Sequence, residues 1–283
     1  MGAGALGSLL GALLSRKNDV LLITRGSHLK AIKEEGLRIE GLINDFFQIE
    51  AERHYPGGFD LILFTVKAYQ TEEAKREIEK EYGGEMVLTL QNGVGIIDML
   101  SNFDVLGGST SMGATLIASG VVRYAGTGMT YIGEVSGKIT DRIKKISSVF
   151  NDSGIRTEAV DNIIARRWVK AAINTVINSI TSVFNVKNGM VFEDENLAEI
   201  AKCIADETQR VLEEMGIKEN ILRLSRDVVE NTKENLSSML QDIQRGRKTE
   251  ADYIIKPFIK DSKCTNTLYH GVKFLEKMRE YGH

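Results

Sequence analysis

The sequence predicts an α/β protein in two parts, a parallel sheet wrapped by helices over residues 1–160 and an all-helical part over 161–283. Three observations carry this reading. Of the 27 glycines, 22 lie at or before Gly154 and five after it, so tight turns belong to the first part. Short apolar runs alternate with helical stretches only in that part, as in a parallel sheet covered by helices. From Asp161 onward apolar residues recur at helical spacing.

The elements follow in order. Gly2-Ala3-Gly4-Ala5-Leu6-Gly7 opens the chain, and Ser8–Ser15 after it reads as a helix. DVLLIT at 19–24, DLILFT at 60–65 and MVLTL at 86–90 are buried-strand candidates, each followed by a turn. Gly120–Gly133 reads as a further β region with glycine turns. Ile139, Ile143, Ile146 and Val149 then repeat at helical spacing until Asn151-Asp152-Ser153-Gly154 stops the helix. Leu197, Ile200, Ala201, Ile204, Val211, Leu212 and Met215 trace one helix face, with Gly216 as its C-cap. Thr249 with Asp252 reads as a capping box that places Glu250 in the first turn of a late helix.

Composition narrows the function classes. The 283 residues are 42% apolar and 27% charged, which suits a packed core. Lys plus Arg total 36 against 39 Asp plus Glu, so no basic excess exists to bind a nucleic-acid backbone or an anionic membrane. Cys203 and Cys264 are too few for a disulfide framework, and no Cys/His cluster suggests a metal. Residues 2–14 carry no charge, but the cations Arg16 and Lys17 come after this run, opposite to a secretory signal. Thirteen residues are too few for a helical membrane span. The expected compartment is the reducing cytoplasm.

The opening glycines match G-x-G-x-x-G. The first glycine permits a tight turn, the second lets backbone approach a pyrophosphate, and the third allows close helix–strand packing. The following helix N-terminus then offers free N–H groups to the anion. This makes the first part Rossmann-like, with its first strand truncated. Such a loop follows a central strand, yet only Met1 precedes Gly2, where about five strand residues are expected. The expectation is a start set too late, with Met1 standing for an internal apolar residue; a chain truly beginning here would have a weakened sheet centre and poor cofactor binding. At the end of the second strand, where an NAD site commonly carries an acid, the chain has Thr24-Arg25. A guanidinium with no acidic neighbour suits a 2′-phosphate, which points to NADP(H).

In the second part Lys170, Asn174 and Asn178 are spaced four and four, so they line one helix face. Their neighbours Val169, Ala171, Ala172, Ile173, Val176 and Ile177 are apolar, so the helix is expected to be buried. A buried lysine needs a polar counterpart, either structural or a substrate. Glu250 taken alone is better explained as a helix-dipole partner.

Together these segments resemble the ketopantoate reductase (2-dehydropantoate 2-reductase) family along most of the chain. The blocks are GAGALG at 2–7, TVKAYQ at 65–70, LQNGVG at 90–95, WVKAAINTVINSITSVFNVKNG at 168–189 and NLSSMLQDIQRGRKTEADYI at 235–254. The resemblance implies a Rossmann-like N-terminal domain, a helical C-terminal domain, and NADPH-dependent reduction of 2-dehydropantoate to (R)-pantoate on the route to pantothenate and coenzyme A. By resemblance Lys170 is the proton donor, and Asn174, Asn178, Asn188 and Ser238 bind substrate. Glu250 supports the reaction and helps hold the bound ligands. Gly2–Gly7 and Arg25 hold the dinucleotide, and Lys67, Asn92 and Ala114 line its nicotinamide end, with Asn92 also meeting substrate. The partner implied is a small 2-oxo acid, and nothing in the sequence excludes a homodimer. Two other readings stand beside it: a sibling reductase for another 2-oxo acid, and a non-catalytic NADP(H) sensor, which would have no need of Lys170. The chain departs from the family at Ile255-Lys256-Pro257, where Asn-Gly is usual, and over a shorter 257–267 segment.

Overall fold

The structure, a computed structural model, describes residues 1–280. It has two compact units: Met1–Gln91 with Gly95–Ile164, and Asn92–Val94 with the chain from Ala165 onward.

The first unit runs α1 (Ala5–Leu14), β1 (Leu21–Ile23), α2 (Gly26–Glu35), β2 (Leu37–Gly41), β3 (Asp45–Phe47), β4 (Glu50–Glu52), β5 (Leu61–Phe64), α3 (Thr71–Glu79) and β6 (Met86–Thr89). It continues with α4 (Ile96–Met99), β7 (Asp104–Thr110), β8 (Gly113–Ala118), β9 (Val121–Gly126), β10 (Thr130–Glu134), α5 (Asp141–Asp152) and β11 (Thr157–Ala159). The three apolar runs become β1, β5 and β6. β5, β6 and β7 are parallel, with Leu61 opposite Met86 and Met86 opposite Asp104. β10 joins β7 antiparallel and β11 closes the edge, giving the order β11-β10-β7-β6-β5. A second sheet runs β3-β2-β9-β8, while β1 pairs only with β4. The unit is thus Rossmann-like, with no strand before the glycine loop among the described residues.

Local chemistry sets the boundaries. Thr140 caps α5 by accepting from the Ile143 N–H, so Ile139, expected on the helix face, lies outside the helix and is exposed. Gly154, at φ 82°, ends that segment.

The second unit is helical: α6 (Ile163–Phe184), α7 (Met190–Glu193), α8 (Glu195–Glu214), α9 (Ile221–Thr232), α10 (Ser238–Gln244), α11 (Ala251–Ile254) and α12 (Cys264–Glu280). Ala172, Val176 and Ile180 of α6 pack with Ala201, Ile204 and Leu212 of α8 in one core. Gly216, at φ 76°, terminates α8, and the preceding Met215 turns out to solvent rather than into the core. Trp168 packs edge-on against the buried Phe258, so the unusual 255–258 segment closes onto α6 with an aromatic contact. None of the helices among the described residues is long and apolar enough to cross a membrane.

Two local readings are corrected. Asp252 does not complete a capping box: it accepts from the Tyr269 hydroxyl and pairs with Lys273, and Glu250 itself occupies the N-cap position of α11. The two cysteines, which a reducing compartment would keep as thiols, are joined as a Cys203–Cys264 disulfide. The packing of α8 against the start of α12 brings together residues 61 apart in sequence. By loop-closure entropy such a bond is worth about 4 kcal/mol.

Beside the disulfide, buried Glu207 accepts from the backbone N–H groups of Lys263, Cys264 and Thr265 and from the Thr265 hydroxyl. A carboxylate thus caps the N-terminus of α12 from another helix. Burial pushes its pKa up, but these donors outweigh burial and hold it below the usual 4.5. Glu207→Ala should lower the unfolding free energy by about 2–4 kcal/mol in urea titrations. The group's folded pKa is depressed, so its stabilisation is present above pH 4.5 and is lost as pH falls through the folded value. The gap between variant and parent should therefore close in acid.

Candidate active site

In the first unit the glycine loop is pinned by strand ends. The Gly2 and Ala3 N–H groups both donate to Ile23 O at 3.1 and 3.0 Å, and the Thr24 hydroxyl donates to Ala3 O. The Thr65 hydroxyl lies within donating distance of Gly2 O, at 3.0 Å. The three glycines differ in what surrounds them. A Cβ on Gly2 would strike Val66 at 2.4 Å, and one on Gly7 would strike Thr65 Oγ1 at 2.5 Å. On Gly4 it would meet nothing nearer than 4.0 Å. Gly2 and Gly7 are therefore required by packing, while exposed Gly4 leaves the loop surface open. α1 begins at Ala5 with no side-chain cap and no acid in its first turn, so the N–H groups of Ala5, Leu6 and Gly7 are available to an anion. Behind the loop, buried His28 accepts from the Gly120 N–H through Nδ1 and so presents Nε2–H to the Ser8 hydroxyl.

Arg25 sits at the N-terminus of α2, exposed, beyond the end of β1. The expectation that it has no acidic neighbour is corrected. Glu73, in the first turn of α3, accepts from both Arg25 terminal nitrogens at 2.5 and 3.3 Å. The acid arrives from 48 residues away, so no local motif announces it. Lys67, half-buried, follows Val66 and begins the short turn Ala68–Gln70; half-buried Ala114 lies in β8 opposite Tyr124.

In the second unit α6 carries the predicted face. The Lys170 ammonium donates to Asn92 Oδ1 at 2.8 Å. Arg167, one turn earlier and 6% exposed, donates to Gly93 O at 2.9 Å. Val94 N–H donates to Tyr253 O, and Gly93, at φ 90°, lies so close to Tyr253 that a Cβ would meet it at 2.7 Å. Residues 92–94 are therefore gripped by two cations of α6 on one side and by α11 on the other. The Thr175 hydroxyl, buried on α6, donates to Ala171 O and lies 2.8 Å from Ile254 O, tying α11 and its N-cap residue Glu250 to the same helix. Glu250 is 5% exposed. Burial and the Arg167 charge lower the Lys170 pKa from 10.5 to about 8, against the opposing pull of Glu250. Burial also lowers the Arg167 pKa, to about 10.

Of the other predicted residues, Asn174 is half-buried and Asn178 buried, on the Lys170 face of α6. Ser238 is exposed in the first turn of α10, whose buried cap Ser237 accepts from the Leu240 N–H and from the Thr181 hydroxyl of α6. Asn188 donates through Nδ2 to Thr232 Oγ1, and its buried Oδ1 has no hydrogen-bond partner among the described residues. Contacts bring Lys170, Asn92 and α11 together directly; Ser238 and Asn188 are placed by helix anchors rather than by contact with Lys170. Two residues escaped sequence reasoning, Arg167 and Thr175. Each is a polar group inside the apolar stretch around Lys170, the same signal that marked the lysine.

Residues 1–137 match the family model described as Ketopantoate reductase PanE/ApbA, and residues 162–266 match Ketopantoate reductase PanE/ApbA C terminal. A 2-dehydropantoate 2-reductase from Archaeoglobus fulgidus is 42% identical, covering 98% of this chain and 96% of its own. The crystal structure of a PanE/ApbA family ketopantoate reductase from Ralstonia eutropha superposes with a TM-score of 0.91 at 26% identity, over 99% of this chain and 98% of that one. A D-mandelate dehydrogenase in complex with NADH superposes with a TM-score of 0.88 at 25% identity, over 98% and 97%.

The geometry around Lys170 sets its titration. Carbon-13 NMR of the lysine ε-carbon should place this amine near 8, below its ordinary 10.5. Arg167→Leu should move it upward, because a like charge one turn away is removed.

Proposed function

This chain belongs to the ketopantoate reductase family, and from that premise we propose how its own residues carry the reaction. It is an oxidoreductase that reduces 2-dehydropantoate to pantoate with a nicotinamide dinucleotide, in pantothenate biosynthesis. We assign residues 1–160 to the dinucleotide and 161–283 to substrate and proton chemistry, with Asn92 reaching out of the first segment to serve the second.

The dinucleotide fits the first unit on its own features. The open surface over Gly4 and the first-turn N–H groups of α1 suit a pyrophosphate, held along Gly2, Ala3, Gly4, Ala5, Leu6 and Gly7. Arg25 is the residue for a 2′-phosphate, so NADPH is the form we assign. Its guanidinium is held by Glu73, and binding exchanges that carboxylate for the phosphate. We assign Lys67 and Ala114 to the nicotinamide end, with Glu250 helping to hold the bound ligands. When bound, the reduced nicotinamide supplies a hydride to the keto carbon.

A ketone that accepts hydride at carbon leaves negative charge on its oxygen. Lys170 stabilises that charge and transfers a proton from Nζ to the oxygen, and solvent later restores the neutral amine to ammonium. Asn92 holds the ammonium in place through Oδ1. Asn174, Asn178, Asn188 and Ser238 serve the substrate's hydroxyl and carboxylate without adding charge, and Asn188 Oδ1 is a buried acceptor in need of a donor. Glu250 accepts from a substrate hydroxyl and opposes the fall in the lysine's pKa. The observation that carries this reading is the Lys170 amine, held by a neutral carboxamide with a pKa of about 8.

Lys170→Ala should reduce turnover at least a hundredfold, in line with loss of a general acid, while NADPH affinity stays within about twofold. Near-normal turnover would remove the lysine from the mechanism. In the parent enzyme the reactive form is the ammonium, so turnover should fall as pH rises through about 8. A panel of 2-oxo acids should show ketopantoate strongly preferred; equal or better use of another acid would favour a sibling reductase. Arg25→Ala should weaken NADPH by roughly tenfold or more with little effect on NADH. Glu73→Gln, which releases the guanidinium, should tighten NADPH. Equal losses for both dinucleotides in Arg25→Ala, read by fluorescence titration, would reject the 2′-phosphate assignment.

A further inference from the structure

α11 is four residues long, too short to hold its own position by helical hydrogen bonding. The place of its N-cap residue Glu250 is therefore set by what grips the chain on either side. The Glu250 side chain does not cap the helix. Buried Thr249 does part of that work: its hydroxyl oxygen accepts from the Ala251 N–H at 3.2 Å, which leaves the Glu250 carboxylate for other partners.

Thr249 is itself held from α12. Its N–H and its hydroxyl both donate to Glu276 Oε1, the N–H at 2.8 Å. The other Glu276 oxygen pairs with the Lys273 ammonium, which also reaches Asp252 Oδ2 at 3.3 Å. The Tyr269 hydroxyl donates to Asp252 Oδ1 at 2.7 Å. Tyr269, Lys273 and Glu276 are spaced four and three, so they share one face of α12. Beside this polar face, Val272 packs with Ala251 and Ile254. The Glu276 side chain is only 10% exposed. A carboxylate so buried is costly unless its oxygens are met; here one meets two donors of Thr249 and the other an ammonium.

We propose that Glu276 is a positioning residue for the reaction: through Thr249 it fixes the turn that aims Glu250, and it acts on Lys170 only through that carboxylate. This role rests on the assignment of Glu250 to the chemistry. The face of α12 holds the residue before Glu250 and, through Asp252, the second residue after it, while Thr175 of α6 holds Ile254 O. Burial and Arg167 lower the Lys170 pKa and Glu250 raises it, so a displaced Glu250 has a signature at the lysine. Lys248, Asp252, Tyr269 and Lys273, the titratable groups that meet Glu276 or its neighbours at this clamp, are left in place by each substitution that follows.

The test uses the full chain and four variants, Glu250→Gln, Glu276→Ala, Glu276→Gln and Thr249→Val. The Lys170 midpoint is read by carbon-13 NMR of its ε-carbon, and turnover is read against pH. Glu250→Gln removes the opposing charge, so the midpoint should fall below about 8. Glu276→Ala and Thr249→Val should each lower it in the same direction, by about 0.3 pH or more, and move the alkaline fall in turnover down with it. Glu276→Gln keeps an acceptor for Thr249 without the charge, so it should restore the parent midpoint and pH profile. Thr249→Val changes no charge, and it carries the test if Glu276→Ala does not fold. A lowered Tm with an unmoved midpoint in the folded variants would reduce Glu276 to a structural residue and overturn the proposal. Equal shifts in Glu276→Gln and Glu276→Ala would overturn it too, because the effect would then be one of charge and not of placement. No effect of Glu250→Gln on midpoint or turnover would be a different failure, removing Glu250 from the reaction and this role for Glu276 with it.

Discussion

A cation in an apolar helix must be met by an acceptor, and the pairing of Lys170 with Asn92 is the interaction around which the polar contacts of residues 92–94 are arranged. Three further contacts hold the segment that carries this acceptor. Arg167 fixes the next carbonyl, Gly93 packs against the backbone and Cβ of Tyr253, and Val94 bonds to the backbone of α11. A three-residue segment is thereby drawn away from its strand neighbours and becomes part of the helical unit. The acceptor is a carboxamide, and that choice matters. A carboxylate at Asn92 would pair the ammonium strongly and hold its proton; a neutral oxygen orients the group and leaves the proton transferable.

The first unit is organised by a different constraint, the close approach of backbone to backbone. Gly2 and Gly7 are glycines because Val66 and Thr65 occupy the space a side chain would need. Gly4 has space to spare, and its value is what it leaves uncovered. The same loop therefore contains two glycines that packing requires and one that it does not. Arg25 shows the complementary case. Its partner Glu73 satisfies it through both terminal nitrogens, so any anion at that position competes with an existing bidentate pair.

Much of the fold was legible because its signals are local. The apolar runs became β1, β5 and β6, and the i, i+4, i+8 face of Lys170, Asn174 and Asn178 is a helical face in the structure. β2 and β3 went unread because Leu37-Arg38-Ile39-Glu40 is a half-buried alternation too short to stand out. The residues that failed were those whose partners are distant in sequence. Arg25 meets Glu73, Asp252 meets Tyr269 instead of capping its own helix, and Cys203 meets Cys264 through helix packing. Arg167 and Thr175 carried the same signal as Lys170, a polar side chain in an apolar stretch. Attention to the lysine alone missed the two residues that position what surrounds it.

Arg167 also explains why two cations lie one helical turn apart in a buried place. An arginine scarcely gives up its proton even there: burial brings it only to about 10. A lysine in the same setting falls to about 8, because burial and the fixed guanidinium both disfavour its charge. The pair thus divides two tasks that one residue could not perform together. Arg167 stays ionised and anchors Gly93 O, while its charge destabilises the neighbouring ammonium and brings proton release into reach of neutral pH. Glu250 limits the effect from the opposite side, favouring the protonated amine. The charge state of Lys170 is in this sense a balance of burial, the Arg167 charge and the opposing Glu250, with Asn92 setting direction and not strength.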